Sequence, residues 1–445
     1  MKAGASTIDG LRSRPVAIFL AAAAALLPAF LLATEAWPEI VVPAYFTTRG
    51  GLLYDTIVFP HTPLLILTTA LLGKLFGFSA ALFRIIVGVT FAAGAALIAR
   101  TTQQRIIAVA AFMVIALLSG AYTLWPDPLL APLALAAALL LERDTKRSFI
   151  AGALLLGVAI ITKQTSAWLA IAGFACVLVN RRDWKTYLAA ISLPYALFVV
   201  IWAAAFRTTS HVYWTFLALV TGHGGEIHRI DPAFVIGGAV LLLIIVASTS
   251  VRGRDAWRSP LPWIALGAFG MAWPRTDLLH VSASFAIVAV LIGRAASAKR
   301  TFAYAAVVLI AIGAAFVHWR VGGPVFFWND RATTFYTAQV RRYVPRGGAF
   351  LNFNTQNETL YAITGTTTPS GIYVNPKFWY YLNKQNLGER ICADLRAKRG
   401  TPILFSYLDA RVDDAQSAAT CIYGLCSRAP VVEVINPATQ WRIVP

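Results

Sequence analysis

The chain has 445 residues, of which 58% are hydrophobic and only 13% charged, with a mean hydropathy of +0.66. That charged share is about half of what a soluble globular chain carries, which excludes a disordered chain and a water-soluble enzyme of ordinary composition. Lys and Arg outnumber Asp and Glu 38 to 20, yet the basic residues stand in small clusters at the ends of apolar runs. That pattern is membrane topology and not a nucleic-acid surface, so no nucleic-acid partner is expected.

In chain order, Lys2, Arg12 and Arg14 precede an apolar run from Pro15 to Thr34. The run is too long for a signal-peptide core and is expected to be an uncleaved first span with a cytoplasmic N-terminus. Ten further runs follow: Ser79–Ile98, Ile106–Leu124, Leu129–Leu141, Phe149–Thr162, Ser166–Val179, Tyr187–Phe206, Pro232–Ala247, Leu261–Trp273, Leu278–Ile292 and Phe302–Val317. About eleven transmembrane helices are therefore expected, several of them short. With this alternation the cytoplasmic ends hold 17 Lys and Arg and the outer loops seven, which sets the orientation. Thr62–Phe76 is apolar but short and contains Lys74. Counting it as a span would invert the charge asymmetry, so it is expected to lie on the outer face as an interfacial helix, with Ile40–Thr48 a second candidate.

The tail after residue 319 changes composition. Asn352, Asn354, Asn357 and Asn375 stand among aromatics, and Thr401–Phe405 and Val431–Val434 are strand-like. The expected organisation is a polytopic α-helical membrane domain over 1–319 and a small extracytoplasmic α/β domain over 320–445. Cys176 lies in a span and reads as packing, whereas Cys392, Cys421 and Cys426 lie in the tail, where one disulfide is possible and its connectivity open.

Twelve acidic residues precede the tail, and seven fall on the outer side: Glu35, Glu39, Asp55, Asp127, Glu226, Asp231 and Asp277. A transport path calls for ionisable groups at mid-membrane, so this distribution favours a site at the outer interface over a transporter or flippase, which is the alternative reading. Glu35 and Glu39 are four apart and would share one face of a helix. Each carboxylate taken alone reads as a solvated loop residue. The loop 207–231 carries His211, Trp214, His223, Glu226 and His228, a spacing that diagnoses no metal.

Four ordered stretches carry a family resemblance. The first outer loop runs Glu35-Ala-Trp-Pro-Glu39, then Arg49-Gly-Gly-Leu-Leu-Tyr54-Asp55, then His61-Thr-Pro63-Leu-Leu, and closes with Gly73-Lys-Leu-Phe-Gly77. Trp125-Pro-Asp127-Pro-Leu-Leu, Thr162-Lys163-Gln-Thr165 and Trp273-Pro-Arg275-Thr-Asp277-Leu-Leu-His280 follow. Over residues 30–285 this resembles the GT-C superfamily of integral membrane glycosyltransferases, in its protein mannosyltransferase-like and bacterial family 39-like branch. Those proteins usually carry an acidic residue where Ala36 stands here, between Glu35 and Glu39.

The resemblance implies a polyprenyl-phosphate-linked sugar as donor, a glycan, lipid or protein hydroxyl as acceptor, and the plasma (inner) membrane as location. It implies Glu39 or Glu35 as general base, with Asp127 orienting the acceptor. Arg275, Lys163, His280 and His61 are the candidates for the donor phosphate, whose leaving-group charge requires fixed cations. Asp55, Tyr54 and His223 are the candidates for the acceptor or sugar. No cofactor is certain, and a divalent cation (Mg or Mn) held by Asp127 and Glu39 stays open. In the bland reading Lys163 and Arg275 snorkel to lipid headgroups and the two histidines are packing residues.

Overall fold

The structure, a computed structural model, describes residues 5–31, 35–58, 62–206, 232–272, 278–321, 337–338, 340–353, 359–374 and 393, and the strands Ile403–Ser406, Val432–Asn436 and Thr439–Val444. The described elements are mostly helical. Each of the eleven apolar runs overlaps a helix, in chain order α1 (Ala5–Leu31), α4 (Ala80–Thr101), α5 (Arg105–Leu118), α6 (Pro126–Glu142), α7 (Lys146–Thr162), α8 (Ala167–Val179), α9 (Trp184–Phe206), α10 (Pro232–Ser250), α11 (Pro260–Met271), α12 (Phe285–Ala298) and α13 (Arg300–Val321). The first outer loop supplies α2 (Pro38–Thr48) and α3 (Leu64–Phe76). By length and composition, three stretches among the described residues are able to cross a membrane: Ala80–Thr101, Trp184–Ala205 and Leu279–Ala298. The other apolar helices are shorter.

The chain divides into two compact units. The first contains α1 and α4 to α13. Its centre is α12, where every side chain from Phe285 to Ile292 is buried. α9 is the opposite case, with Leu193, Leu197, Val200 and Ile201 exposed, an apolar surface suited to lipid. Between lipid-embedded helices, close packing holds more than the hydrophobic effect does, so small residues decide which helices approach. Gly152 of α7 is such a residue. A Cβ there would stand 2.8 Å from Leu141 Cγ and 2.9 Å from the Ala137 carbonyl oxygen of α6. Tyr122 ties α1 in, donating from its hydroxyl to the Ala25 carbonyl at 3.0 Å while its ring stacks on Phe91.

The C-terminal end of α6 is clasped by charge. Arg294 of α12 donates to both oxygens of Glu142 at 2.6 and 2.7 Å, and the Ser259 hydroxyl at the start of α11 adds a bond at 2.8 Å. Arg182, just past α8, donates to the Leu141 and Arg143 carbonyls that the end of α6 leaves open. Burial works against ionised Glu142, but the Arg294 hydrogen bonds and charge and then the Ser259 bond outweigh it and hold its pKa below the usual 4.5.

The second unit contains α2, α3 and the described part of the tail. α2 differs from the surface helix expected over Ile40–Thr48. Ile40, Val41, Val42, Ala44, Tyr45 and Phe46 are all buried. The Tyr45 hydroxyl donates to the Thr366 carbonyl at 2.9 Å, and the Phe46 ring stacks on Tyr373 and meets Tyr361 edge-on. The tail thus covers a face that the local sequence leaves apolar. α3 keeps Leu71, Leu75 and Phe76 exposed, an apolar strip fit for an interface. Ile57–Val58 pairs in parallel with Tyr373–Val374. A four-stranded sheet runs in the order Leu351–Phe353, Ile403–Ser406, Thr439–Val444, Val432–Asn436, with the first pair parallel and the others antiparallel. Two of its strands fall on the runs 401–405 and 431–434 read as strand-like from sequence.

Two outcomes follow from the first unit. Gly152→Val forces α7 away from α6 and lowers the melting temperature of the purified protein, with a loss of about 1–3 kcal/mol as for other overpacked sites. Glu142→Gln loses about 2 kcal/mol near pH 7 through its charge-assisted bonds. Because the folded pKa of Glu142 is depressed, its contribution is complete above the unfolded value and disappears as pH falls through the folded one. Melting curves in detergent at a series of pH values therefore show the wild-type and Gln proteins converging in acid.

Candidate functional site

The chain enters α6 through Trp125-Pro126-Asp127. Trp125 is the extended N-cap (φ −136°, ψ 148°), and Pro126 fits the first helical position because its missing N–H has no intrahelical partner there. Asp127 is thereby fixed in the first turn, where the helix dipole favours a negative charge. It is fully buried, a position where an isolated carboxylate does not stay ionised.

Its counter-charge comes from the end of α7. Lys163 leaves the helix in an extended conformation (φ −153°, ψ 123°), and a 3-10 turn over Gln164–Ser166 follows. The break turns the Lys163 side chain inward. Its Nζ donates to Asp127 Oδ2 at 2.5 Å, and the two side chains are 4% and 0% exposed. The same ammonium lies 5.7 Å from the centroid of the Trp125 ring, a cation–π position. His280, buried in the 3-10 turn Leu279–Ser284, meets the Trp125 ring edge-on at 6.1 Å. Asp127 Oδ1 is also buried and accepts no hydrogen bond from any described residue. The cluster therefore presents one acceptor oxygen, an ammonium with further N–H bonds and an imidazole.

In the second unit, α2 starts in the same way. Trp37 is an extended N-cap, Pro38 opens the helix and Glu39 lies in its first turn, buried to 5% exposure. Glu35 and Glu39 do not share a helical face as their spacing predicts. Glu35 lies in the extended pair Glu35–Ala36, and the helix begins only at Pro38, whose ring disfavours helical backbone in the residue before it. Tyr54 is buried with φ +69°, in the left-handed region that non-glycine residues enter at some cost. Its N–H donates to the Ile57 carbonyl, and Thr56 Oγ1 accepts from the Leu52 N–H. This turn leaves Asp55 exposed. His61, His223 and Arg275 lie outside the described residues. Among the described residues no group of three or more His, Cys, Asp or Glu side chains is arranged to hold a metal.

Of the sequence-derived candidates, Asp127, Lys163 and His280 are thus brought together, and Lys163 is bound to Asp127 where the sequence reading assigned it to phosphate alone. The shared opening Trp-Pro-acid, at Trp37-Pro38-Glu39 and Trp125-Pro126-Asp127, is a local signal that singles out both buried carboxylates.

No protein-family model matches the chain, and no curated protein does. Solved structures do match. They include ArnT from Cupriavidus metallidurans bound to undecaprenyl phosphate and the same protein in the apo state, each with a TM-score of 0.63 over 96% of this chain and 97% of the other, at 14% and 13% identity. ArnT is a GT-C glycosyltransferase. The fold here is ArnT-like. At such low identity it is the backbone arrangement that is shared, over 96% of this chain.

The Asp127–Lys163 contact invites a double-mutant cycle. Removing either partner leaves a buried charge and costs about 3–5 kcal/mol. Lys163→Met and Asp127→Asn each lower the melting temperature sharply, and the double variant recovers much of the loss. Additive losses in the melting curves would show that the two side chains do not depend on each other.

Proposed function

We propose that the chain is a membrane glycosyltransferase that moves a hexose or pentose from a polyprenyl-phosphate-linked donor to an acceptor hydroxyl of a glycan, lipid or protein at the outer face of the inner membrane. The observation that carries this reading is the buried Asp127–Lys163 pair, whose Oδ1 accepts no hydrogen bond from any described residue, in a fold whose ArnT representative is bound to undecaprenyl phosphate. In the accompanying topology the N-terminus is cytoplasmic, about eleven helices over 1–319 cross the membrane, and 320–445 forms an extracytoplasmic domain.

The reaction forms a bond from the acceptor oxygen to the anomeric carbon and breaks the bond from that carbon to the phosphate oxygen. The acceptor proton goes to a general base, Glu39 or Glu35. Glu39 is buried in the first turn of α2, where water does not compete for a bound hydroxyl. Asp127 Oδ1 orients the acceptor hydroxyl. The leaving polyprenyl phosphate carries the departing charge, and Lys163 meets it with the N–H bonds that Asp127 does not use. His280, Arg275 and His61 complete the phosphate contacts. Tyr54, Asp55 and His223 bind the sugar or the acceptor.

A divalent cation at Asp127 fits this arrangement poorly. The ammonium 2.5 Å from Oδ2 already neutralises the carboxylate and would repel a metal ion, so Lys163 supplies the positive charge that a metal otherwise would.

The test is transfer of labelled sugar from a polyprenyl-phosphate donor by the purified protein in nanodiscs. Combined Glu39→Gln and Glu35→Gln substitution removes the base and abolishes transfer, a fall of at least about 100-fold, the lower end of general-base contributions, while membrane insertion is unchanged. Full activity in the double variant overturns the assignment.

A further inference from the structure

α6 carries polar groups at both ends. Asp127 opens the helix and Glu142 closes it, 15 residues apart, which is about 22 Å along the axis at 1.5 Å per residue. Around Glu142 lies a second polar cleft of about 490 Å³, lined among others by Arg182, Arg252, Asp255, Arg258 and Ser259. None of these residues belongs to the Asp127 cluster.

The charges in this cleft are unevenly satisfied. Both oxygens of Glu142 are taken by Arg294, and one also accepts from Ser259. Arg182 is spent on the carbonyls at the end of α6 and on Asp144. The Arg252 side chain forms no hydrogen bond or ion pair with any described residue, although it is near enough to Glu142 and Arg294 for both to act on its charge. Crowding by the protein and then the like charge of Arg294 lower its pKa, against the pull of Glu142. Gly253 follows with φ +89°, a conformation that suits glycine, and this turn fixes the backbone beside Arg252. Arg258 has only a 3.7 Å contact with Asp255, both side chains being exposed. Its backbone is held in place, since its carbonyl accepts from Asn180 Nδ2 at 2.9 Å.

Two guanidinium groups therefore face an open cleft with their hydrogen-bonding capacity largely unused, on backbone that is fixed. A guanidinium presents paired N–H donors that match two oxygens of a phosphate, an anion abundant at a membrane surface. We propose that this cleft is a binding site for a phosphate ester, gripped by Arg252 and Arg258, at the end of α6 remote from Asp127. The ester comes either from the headgroup of an anionic phospholipid or from a soluble phosphate compound. Occupancy relieves the repulsion between Arg252 and Arg294 and braces α6 against α10, α11 and α12.

The experiment uses the full-length purified protein and three variants: Arg252→Gln, Arg252→Gln with Arg258→Gln, and Lys299→Gln. The last removes one charge, as Arg252→Gln does, from an exposed position outside the cleft lining. Native mass spectrometry after incubation with phosphatidylglycerol counts retained lipid, and melting curves are recorded with inorganic phosphate and in nanodiscs of phosphatidylcholine with or without phosphatidylglycerol. The expected result is at least fivefold less retained phosphatidylglycerol in the double Arg variant than in wild type, with Lys299→Gln unchanged. If millimolar inorganic phosphate alone raises the wild-type melting temperature but not that of the double variant, the ligand is a soluble phosphate compound. If only phosphatidylglycerol does so, it is a lipid headgroup. The wild-type arms need no variant to fold. Equal retention in all four proteins, equal loss in Lys299→Gln, or no response of the wild type to either probe overturns the proposal.

Discussion

The contact between Asp127 and Lys163 constrains where α6 starts and where α7 stops. A carboxylate with no exposure stays charged only if a cation is within hydrogen-bond reach. Lys163 reaches it because α7 ends one residue earlier and the backbone turns extended. α7 in turn comes close enough only because Gly152 presents no side chain to α6. The helix start, the helix stop and the glycine form one dependency, and losing any of them strands a charge in the interior. The geometry that makes the pair costly to break also leaves Oδ1 buried with no hydrogen bond from any described residue.

The opposite end of the same helix is held by different means. There a partly exposed carboxylate is gripped by Arg294 and Ser259, and Arg182 occupies the terminal carbonyls. A helix fixed at both ends by charge resists sliding along its axis, which packing between smooth apolar surfaces does not prevent. The polar groups at the two ends do separate work, since the Glu142 end shares no residue with the Asp127 cluster.

Much of the helical framework was legible without coordinates. The eleven apolar runs announce themselves by length and composition, and the described helices lie on them. The strand-like runs near residues 401 and 431 were readable for the same reason. Asp127, Lys163 and His280 were singled out as separate residues, but their meeting was not visible. It joins positions 36 and more residues apart through a helix break that no local pattern announced. Glu35 and Glu39 show the reverse error. Their spacing of four suggested a common face, and the proline between them prevents it. The Glu142 clasp went unread because a Glu next to Arg143 and Asp144 looks like an ordinary charged loop, and its partners Ser259 and Arg294 are more than a hundred residues away.

Sequence alone determined that the chain is apolar and helical, and that its basic residues collect in small clusters at the ends of the apolar runs. These are properties of composition and short-range order, fixed by what a hydrocarbon layer tolerates. Tertiary structure alone decided that α2 is enclosed by the tail, and which carboxylates are paired and which cations are left over. Pairing is a matter of distance between remote segments, and that distance is set by glycines, prolines and helix ends acting together.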